Sequence, residues 1–208
     1  MIRTASEKDL TDIVQIHRIC FPESFTTAMG KYLLMRYYNV FMTKNPELFL
    51  VSEKDTDSKM LTGFCMGYYG ENSGCTKQFI KENRFLFALR VLFLLLIGNC
   101  AAWKRVVGVI QKKRGTVTLN ELFCSFSHKD SGELLSICVL PDQRGSGTAS
   151  QLVDHYTQVL VENGRRRCVL SVLCDNKRAI RFYEKKGFSL FKKIGDTSLV
   201  FAKILSNE

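Results

Sequence analysis

Residues 134–149 carry the pattern that decides the fold: they read Leu-Leu-Ser-Ile-Cys-Val-Leu-Pro-Asp-Gln-Arg-Gly-Ser-Gly-Thr-Ala. The first half is an apolar run of strand length, a proline ends it, and two glycines precede an amphipathic helix. The start of a helix leaves backbone N–H groups without intrahelical partners, and its positive end favours an anion. Gly145 and Gly147 would let a phosphate approach the backbone without a Cβ in its way. This stretch therefore predicts a ligand that carries a diphosphate.

Two further patterns decide which class of diphosphate-binding fold this is. The turn lacks both the Gly-x-x-x-x-Gly-Lys-Ser/Thr of a P-loop and the Gly-x-Gly-x-x-Gly of a dinucleotide fold. A second apolar strand follows at 168–173, and residues 175–188 then read Asp-Asn-Lys-Arg-Ala-Ile-Arg-Phe-Tyr-Glu-Lys-Lys-Gly-Phe. The two stretches resemble the motifs Val-x-Pro-x-x-Arg-Gly-x-Gly and Asn-x-x-Ala-x-x-Phe-Tyr-x-x-x-Gly-Phe of the GNAT superfamily of acetyl-CoA-dependent N-acetyltransferases. The resemblance is sharp over about 132–205, topological over 1–71 and absent between them.

The order of the remaining elements predicts an α/β fold. Apolar periodicity predicts strands at about 2–5, 47–53, 60–69, 133–140, 167–173, 188–194 and 197–204. It predicts helices at about 7–21, 26–42, 147–162 and 176–186, the first one capped by Ser6 with Asp9 and carrying Leu10, Ile13, Val14, Ile16 and Ile19 on its apolar side. The resemblance implies a GNAT-like mixed, splayed central sheet flanked by helices. We expect a single domain over 1–208, with a hydrophobic, basic helical insertion at about 72–131 in which residues 116–126 are β-prone.

The insertion carries most of the formal net charge of +10, because residues 72–115 contain nine Lys or Arg residues and one acidic residue, Glu82. At its centre residues 85–97 are apolar on every side except at Arg90, so a helix there must be buried or lie in lipid. Thirteen helical residues reach roughly 20 Å, short of the ~30 Å hydrocarbon core of a bilayer. We expect this helix to pack on the domain or on a second subunit, which leaves a homodimer open. The alternative is peripheral membrane contact through 79–114, where basic flanks would attract anionic headgroups.

Cysteine use and the N-terminus bear on location. The eight cysteines are scattered, mostly in apolar segments, with no Cys-x-x-Cys spacing, and Met1 is not followed by a basic start and an apolar run. These features predict reduced cysteines, no metal site and no signal peptide. We therefore expect a cytoplasmic protein, peripheral at the inner membrane face if the insertion contacts lipid.

The resemblance implies that acetyl-CoA is the cofactor, and it assigns the residues that hold it. Backbone N–H groups near Arg144–Thr148 would bind the pyrophosphate, and the exposed backbone of the preceding strand would pair with the pantetheine arm. Asn176 is the motif asparagine, although a helix cap alone would also explain it. The predicted cofactor-binding residues are Ile137, Cys138, Val139, Gln143, Arg144, Gly145, Ser146, Gly147, Thr148, Asn176, Ala179 and Tyr183.

The resemblance also implies direct attack of a primary amine on the acetyl group in a ternary complex. Tyr183 matches the tyrosine that in many members lies near the CoA sulfur, so it is the candidate acid; the alternative is a packing aromatic. Glu133, at the position of the catalytic glutamate in the histone-acetylating branch, is the candidate base; the alternative is a solvated strand-end carboxylate. The branch that acetylates protein N-termini has a glutamate where this chain has Ser171.

The acceptor is read from the loop before the second helix and from the insertion. Phe25, Thr26 and Thr27 are the candidate substrate-binding residues, because an apolar face with hydroxyl groups suits a sugar ring. The basic insertion favours an anionic small molecule, such as a nucleotide- or lipid-linked amino sugar. The opening of the chain resembles acetyltransferases associated with bacterial surface-polysaccharide synthesis. The alternatives are a protein or peptide amine, or a non-catalytic acyl-CoA-binding module; no nucleic-acid partner is expected, because the charge lies beside an apolar helix.

Overall fold

The computed structural model describes residues 1–54, 60–110, 116–118 and 125–206. The strands of this part of the chain form one sheet. Its eight strands are β1 Ile2–Thr4, β2 Phe49–Glu53, β3 Leu61–Tyr69, β4 Thr116–Thr118, β5 Ser131–Val139, β6 Arg167–Leu173, β7 Ser189–Ile194 and β8 Ser198–Ile204. They lie in the order β1-β2-β3-β5-β6-β8-β7-β4. The β5–β6 pair is parallel and the other described pairs are antiparallel, so the sheet is mixed, as predicted.

Helices cover both faces of the sheet. They are α1 Leu10–Cys20, α2 Phe25–Ala28, α3 Lys31–Lys44, α4 Cys75–Glu82, α5 Arg84–Leu96, α6 Cys100–Ile110, α7 Thr148–Glu162 and α8 Lys177–Lys185. Alternate residues of a strand point to opposite faces, and β3 shows this at its centre. Phe64 packs in the cluster formed with α1 and α3, whereas Cys65 packs in the cluster formed with α7 and α8. The core therefore has two layers with the sheet between them.

The sheet splays between β5 and β6. The two strands pair only over Ser131–Leu134 and Arg167–Leu170. Beyond this point β5 continues beside β3 to Val139, while β6 continues beside β8 to Leu173. The β3–β5 register also shifts here: Gly67 pairs with Leu134 and Met66 with Ser136, so Leu135 is an extra residue in a β-bulge. The predicted splayed sheet is confirmed, and its opening leads directly into the glycine turn.

The N-terminal helices differ from the sequence prediction in two respects. The helix predicted at 26–42 is two helices, α2 and α3, because the chain breaks at Gly30, where φ is 91°. On α1, Ile19 is 46% exposed, and His17 takes a buried position instead. The predicted cap at Ser6 is confirmed: the Ser6 amide donates to Asp9 Oδ2 at 2.7 Å.

The insertion is helical, as predicted, and it packs on the domain along one side only. Cys75, Phe79, Leu94 and Ala102 are buried. Arg90, the one polar residue of the apolar run, donates from Nε and Nη2 to the Ala28 carbonyl at 3.1 and 2.9 Å. Of the predicted β-prone segment, β4 pairs with β7 and residues 119–124 lie outside the described residues.

The opposite side of α5 and α6 exposes a set of large apolar side chains, which we call the outer apolar face. Its members are Phe85, Leu86, Leu89, Leu92, Phe93, Leu96, Ile97, Trp103 and Val107. Within the described residues, no single helix has the length and hydropathy of a bilayer span. Arg84–Leu96 and Cys100–Val107 reach those values only as a pair, and their axes are bent by 113°.

Candidate active site

A cavity of about 600 Å³ lies where β5 separates from β6, and we call it the β5–α8 cavity. Its walls are the end of β5, the glycine turn with the start of α7, and the inner side of α8, together with the end of α1. Eleven of the twelve predicted cofactor-binding residues line it; Ser146 is the exception. The lining residues are Cys20, Phe21, Ile137, Cys138, Val139, Gln143, Arg144, Gly145, Gly147, Thr148, Ala149, Ser150, Asn176, Arg178, Ala179, Phe182 and Tyr183.

The glycine turn presents unpaired amides to this cavity. Gly145 and Gly147 have φ angles of 91° and 88°, which side chains with a Cβ rarely adopt, and open space lies beside both. The first intrahelical bond of α7 runs from the Gln151 amide to the Gly147 carbonyl at 3.0 Å. The amides of 148–150 therefore have no partner within the helix, and they lie at its positive end. This is the geometry of an anion site at a helix N-terminus.

Not every amide between Arg144 and Thr148 is available. The Arg144 amide donates to the Pro141 carbonyl at 3.3 Å, and the Ser146 amide donates to the Gln143 carbonyl at 3.4 Å. The Thr148 amide donates to the Ser146 hydroxyl oxygen at 3.4 Å. The Ser146 hydroxyl also donates to Gln143, and it lies 2.8 Å from the Thr148 hydroxyl, so Ser146 braces the turn from outside the cavity. The amides of Gly145 and Gly147 have no hydrogen-bond acceptor within the described chain, and with the amides of Ala149 and Ser150 they form the anion cradle.

Tyr183 contributes both to the core and to the cavity. Its ring packs against Phe182 and Phe188, with centroid distances of 5.1 and 5.7 Å, and it is 7% exposed. Burial raises the pKa of Tyr183 above its usual value, so the hydroxyl holds its proton at neutral pH. The hydroxyl has no hydrogen-bond partner among the described residues. A protonated donor without a partner in this cavity is what a departing thiolate requires.

Glu133 lies on the other face of β5 from the α7 helix, two residues before the bulge. It is opposite Tyr68 of β3 in the ladder, and its carbonyl accepts a bond from the Tyr156 hydroxyl at 2.8 Å. Burial and then the neighbouring Glu133 carboxylate raise the pKa of Tyr68 above its usual value. The Glu133 side chain is half-buried on the side of the sheet that holds α3. Tyr68 was not identified from the sequence, because only the strand register brings it to Glu133.

A second cavity, of about 480 Å³, lies on this other side of the sheet, and we call it the insertion cavity. It lies between α2, α3, the three insertion helices and the bulge residue Leu135. Of the three predicted substrate-binding residues, Phe25 and Thr26 line it. Thr27 does not; its hydroxyl donates to the Phe21 carbonyl at 2.7 Å and holds the loop before α2.

His17 links this loop to the core, a role that the sequence did not reveal. Its Nδ1 lies 2.5 Å from the Tyr38 hydroxyl, and its Nε2 lies 3.0 Å from the Thr26 hydroxyl. Burial lowers the pKa of His17 to about 4, and burial raises the pKa of Tyr38 well above its usual value. Tyr38 therefore donates to a neutral imidazole, and Nε2–H donates to Thr26. The bond fixes Thr26 at the edge of the insertion cavity.

Cys20 brings the end of α1 to the cofactor side. Its thiol donates to the Val139 carbonyl at 3.3 Å. The Cys138 thiol and, to a smaller extent, the Arg144 guanidinium lower the pKa of the Cys20 thiol. No salt bridge joins Arg144 to Asp142 within the described chain; the Asp142 carboxylate instead accepts a bond from the Gln143 amide at 2.9 Å. No described acidic residue pairs with Arg144 beside the cradle.

The basic residues at α8 have two kinds of surroundings: some line the cavity, and others contact the rest of the domain. Arg178 lines the cavity, whereas Lys186, just beyond α8, donates to the Ser150 hydroxyl at 2.9 Å and pairs with Asp154 at 2.5 Å. Asn176 accepts a bond from the Ala179 amide at 3.0 Å and so caps α8 while it also lines the cavity. The capping interpretation of Asn176 is thus correct, and a cofactor contact remains a prediction.

The cavity fits the cofactor that the sequence pattern implies. Open space beside Gly145 and Gly147, free amides at a helix N-terminus, and Arg144 and Arg178 at the rim suit a diphosphate group. The β5 edge that faces the splay suits an extended amide-containing arm, because a strand edge binds such a chain through its backbone.

Comparison with known proteins agrees with this geometry. A model of the acetyltransferase (GNAT) family matches residues 10–188. Among curated proteins, N-alpha-acetyltransferase 30 of Schizosaccharomyces pombe is 30% identical over 63 residues, which make up 30% of this chain and 42% of that protein. The matched region therefore spans less than half the length of this curated relative.

Solved structures with the same fold match nearly the whole chain. Ard1 from Thermoplasma volcanium has a TM-score of 0.57 at 17% identity, covering 100% of this chain and 98% of that one. PaiA N-acetyltransferase from Thermoplasma acidophilum, solved with coenzyme A, has a TM-score of 0.58 at 15% identity, covering 99% and 98%. The ribosomal-protein-S18-alanine N-acetyltransferase of Escherichia coli has a TM-score of 0.54 at 15% identity, covering 100% and 95%. At these identities the likeness shows the fold alone.

The family uses acetyl-CoA, and the glycine turn, the splay and α8 lie where its motifs require them. The family model spans most of the chain, and the fold matches that of the solved relatives. The chain therefore belongs to the GNAT family of acetyltransferases.

Proposed function

We propose that this protein acetylates a primary amine by direct attack in a ternary complex with acetyl-CoA. The observation that carries the proposal is the pair of cavities on opposite sides of β5. The β5–α8 cavity holds the anion cradle and Tyr183, and the insertion cavity reaches Leu135 at the bulge. Ile137 and Leu135 are two residues apart, about 7 Å along an extended strand. An acetyl group and an amine could therefore meet at the end of the splay.

Each residue has a defined task in this scheme. Acetyl-CoA supplies an acetyl group activated as a thioester. The cradle and the edge of β5 hold the donor, so that its reacting end lies near the bulge. Glu133, directly or through water, takes a proton from the attacking amine, because only a neutral amine is a nucleophile. Tyr183 donates its hydroxyl proton to the leaving sulfur.

We propose an amino sugar linked to an anionic lipid as the acceptor class. The apolar lining of the insertion cavity favours a lipid-linked sugar over a nucleotide-linked one. A peptide amine is the second candidate, supported by the curated relative, which is named for N-alpha acetylation. Against it, Ser171 stands where the N-terminus-acetylating branch has a glutamate, and the chain has a net positive charge that would repel basic peptides.

We further propose that the protein works in the cytoplasm, peripherally at the inner membrane face. The outer apolar face on α5 and α6 exposes nine large apolar side chains, and clusters of this kind mark interaction surfaces. Lys81, Arg84 and Lys104 flank it and would attract anionic headgroups. A second copy of the chain is the alternative occupant of this face, as in a homodimer.

Flotation with vesicles distinguishes the two occupants. Wild-type protein should float with vesicles that contain phosphatidylglycerol and not with phosphatidylcholine alone. Leu89→Asp combined with Leu92→Asp should abolish flotation, whereas Met60→Asp, which also places a carboxylate at an exposed apolar site, should not. A dimer in solution that dissociates in the double variant, with no flotation of either form, would assign the face to a second copy.

The acetylation proposal is tested with acetyl-CoA and a panel of amines, using release of free thiol as the readout. The panel contains nucleotide-linked 4-amino sugars, a lipid-linked amino sugar and peptides with free N-termini. Acetylation of an amino sugar but not of peptides supports the proposed acceptor class. Acetyl-CoA binding without thiol release for any acceptor would favour the non-catalytic acyl-CoA-binding module.

A further inference from the structure

The insertion cavity is built before any ligand binds. Arg90 ties α5 to the Ala28 carbonyl at the end of α2, and the Phe87 ring meets the Phe25 ring edge-on at 6.3 Å. The Tyr37 ring of α3 meets the Phe79 ring of α4 edge-on at 5.5 Å. The three helices of the insertion, α4, α5 and α6, thus close over α2 and α3. Its volume, about 480 Å³, is in the range of small-molecule sites.

The lining is hydrocarbon almost throughout. Its apolar side chains include Leu33, Phe79, Ile80, Phe87, Val91 and Leu135. Thr26, Tyr37, Thr76 and Arg105 supply the polar atoms. Burial raises the pKa of Tyr37 to about 12, so its hydroxyl is uncharged at neutral pH. The lining therefore offers an apolar surface and no negatively charged side chain.

Arg105 gives the cavity a defined polarity. It is exposed at the edge of the lining, and it forms no salt bridge with any described acidic residue. An unpaired guanidinium beside an apolar lining complements a molecule that has a hydrocarbon part and an acidic group. An acyl chain carried by CoA would fill the apolar part but would leave Arg105 without a partner.

The position of the cavity connects it to the reaction. Leu135, the bulge residue, forms part of its wall, and Ile137 lines the β5–α8 cavity on the same strand. A molecule whose chain occupies the insertion cavity would thus hold its head group beside the end of the donor. This inference rests on the proposed function for its catalytic consequence, but not for the binding itself.

We propose that the insertion cavity binds the hydrocarbon part of an anionic, amphiphilic amine acceptor, with Arg105 pairing with its acidic group. The insertion would in this way select the acceptor, as well as form the outer apolar face. A matched pair of ligands isolates the contribution of the chain: 2-aminododecanoic acid and alanine share an amine and a carboxylate, and only the first has a long alkyl chain.

Binding is measured by displacement of a fluorescent probe, 11-(dansylamino)undecanoic acid, from the full-length protein. We expect 2-aminododecanoic acid to displace the probe at concentrations at least tenfold below those of alanine. Arg105→Ser should weaken binding of this anionic probe several-fold and leave displacement by uncharged decanol unchanged. Equal displacement by the two amino acids would overturn the proposal.

Two variants on different helices block the cavity. Val91→Trp on α5 and Thr76→Trp on α4 should each lower probe affinity at least tenfold, because the indole would occupy the space of the chain. Gln78→Trp, on the same helix as Thr76 but outside the lining, is the matched control and should bind like wild type. If one blocking variant fails to fold, as judged by circular dichroism, the other carries the test. Unchanged probe affinity in a folded blocking variant overturns the proposal.

Measurements of turnover show whether the insertion cavity holds the hydrocarbon chain of the acceptor or that of an acyl donor. They also separate this inference from the proposed function. The acceptor assignment predicts that Val91→Trp lowers acetylation of 2-aminododecanoic acid more than that of a short amine, with acetyl-CoA as donor. A variant that loses transfer from octanoyl-CoA to a short amine, but keeps acetylation of the long-chain amine, would assign the cavity to the donor and overturn the proposal. Chain-dependent binding without any turnover would contradict the proposed function and leave the cavity assignment standing.

Discussion

The Tyr38 hydroxyl lies 2.5 Å from Nδ1 of His17, and the two side chains are buried between α1 and α3. Because Tyr38 donates this bond, the His17 ring is held as the tautomer whose Nε2–H points to the Thr26 hydroxyl. The pair thus connects the core to the loop before α2 through hydrogen bonds. This loop lies on the side of the sheet where the acceptor is proposed to bind. It is also the buried group with the clearest consequence for stability.

We expect acidification to destabilise the protein between about pH 6.5 and pH 4. The pKa of His17 is lowered from 6.5 to about 4 by burial, so in this window the unfolded chain binds a proton that the folded chain does not. The free energy of unfolding should therefore fall as the pH falls, by at most about 3 kcal/mol for this group. Urea denaturation at a series of pH values measures it.

His17→Gln provides the control for this window. The variant should be less stable at pH 7.5, and its free energy of unfolding should change much less between pH 6.5 and 4. Asp9 titrates in a lower pH range. Bonding to Arg3 lowers the pKa of Asp9 to about 2, so the stabilisation by this carboxylate is lost only below about pH 3.8. If the free energy of unfolding of His17→Gln fell between pH 6.5 and 4 as steeply as that of the wild type, another group would be responsible for the pH dependence.

We expect Gly147→Ala to weaken acetyl-CoA binding at least tenfold. The φ angle of 88° strains a residue with a Cβ by roughly 1–2 kcal/mol, and the Cβ would project into the open space of the cradle. Calorimetric titration gives the dissociation constant. Gly195→Ala is the matched control, because Gly195 has a positive φ of 57° in the β7–β8 turn and equally open surroundings. Equal losses in the two variants would mean that strain, and not the cradle, is responsible.

We expect Tyr183→Phe to lower turnover at least tenfold while acetyl-CoA affinity is retained. The ring packing against Phe188 is preserved, so only the hydroxyl proton is lost. Steady-state rates at saturating acetyl-CoA, with thermal unfolding as a check on the core, make the measurement. Rates equal to those of wild type would reassign Tyr183 to packing.

Glu133→Gln should lower kcat by about a hundredfold or more at neutral pH, because the amide cannot accept the proton of the attacking amine. The dissociation constant for acetyl-CoA should not change, since Glu133 lies on the opposite face of β5. Tyr68→Phe, which removes only the neighbouring hydroxyl, should have a smaller effect on kcat. A Glu133→Gln enzyme with a normal rate would identify the carboxylate as a structural group at the start of the strand.

The part of the fold that forms the β5–α8 cavity was predictable from sequence because its signals are local. The strand, the glycine turn and the start of α7 lie within 16 consecutive residues, and the resulting cavity is lined by nearly every residue so identified. The cap formed by Ser6 and Asp9 is local in the same way. Such patterns depend on spacing along the chain, which a sequence shows directly.

The packing of the N-terminal helices and of the insertion was less predictable, because the residues that contact each other there are distant in sequence. Tyr38 is 21 residues from His17, and the carbonyl that accepts the Cys20 bond is 119 residues away. Nothing in the periodicity of either helix signals these partners. Arg90 was visible as the one polar residue of an apolar helix, but its role in tying α5 to α2 required the carbonyl at the end of α2.

The central claim is that the amides of Gly145, Gly147 and the first turn of α7 bind the diphosphate of coenzyme A. A crystal structure of the protein with coenzyme A tests it most directly. We predict that diphosphate oxygens accept hydrogen bonds from these amides and that the pantetheine arm lies along Ile137–Val139. Coenzyme A bound elsewhere, with the glycine turn empty, would contradict the claim.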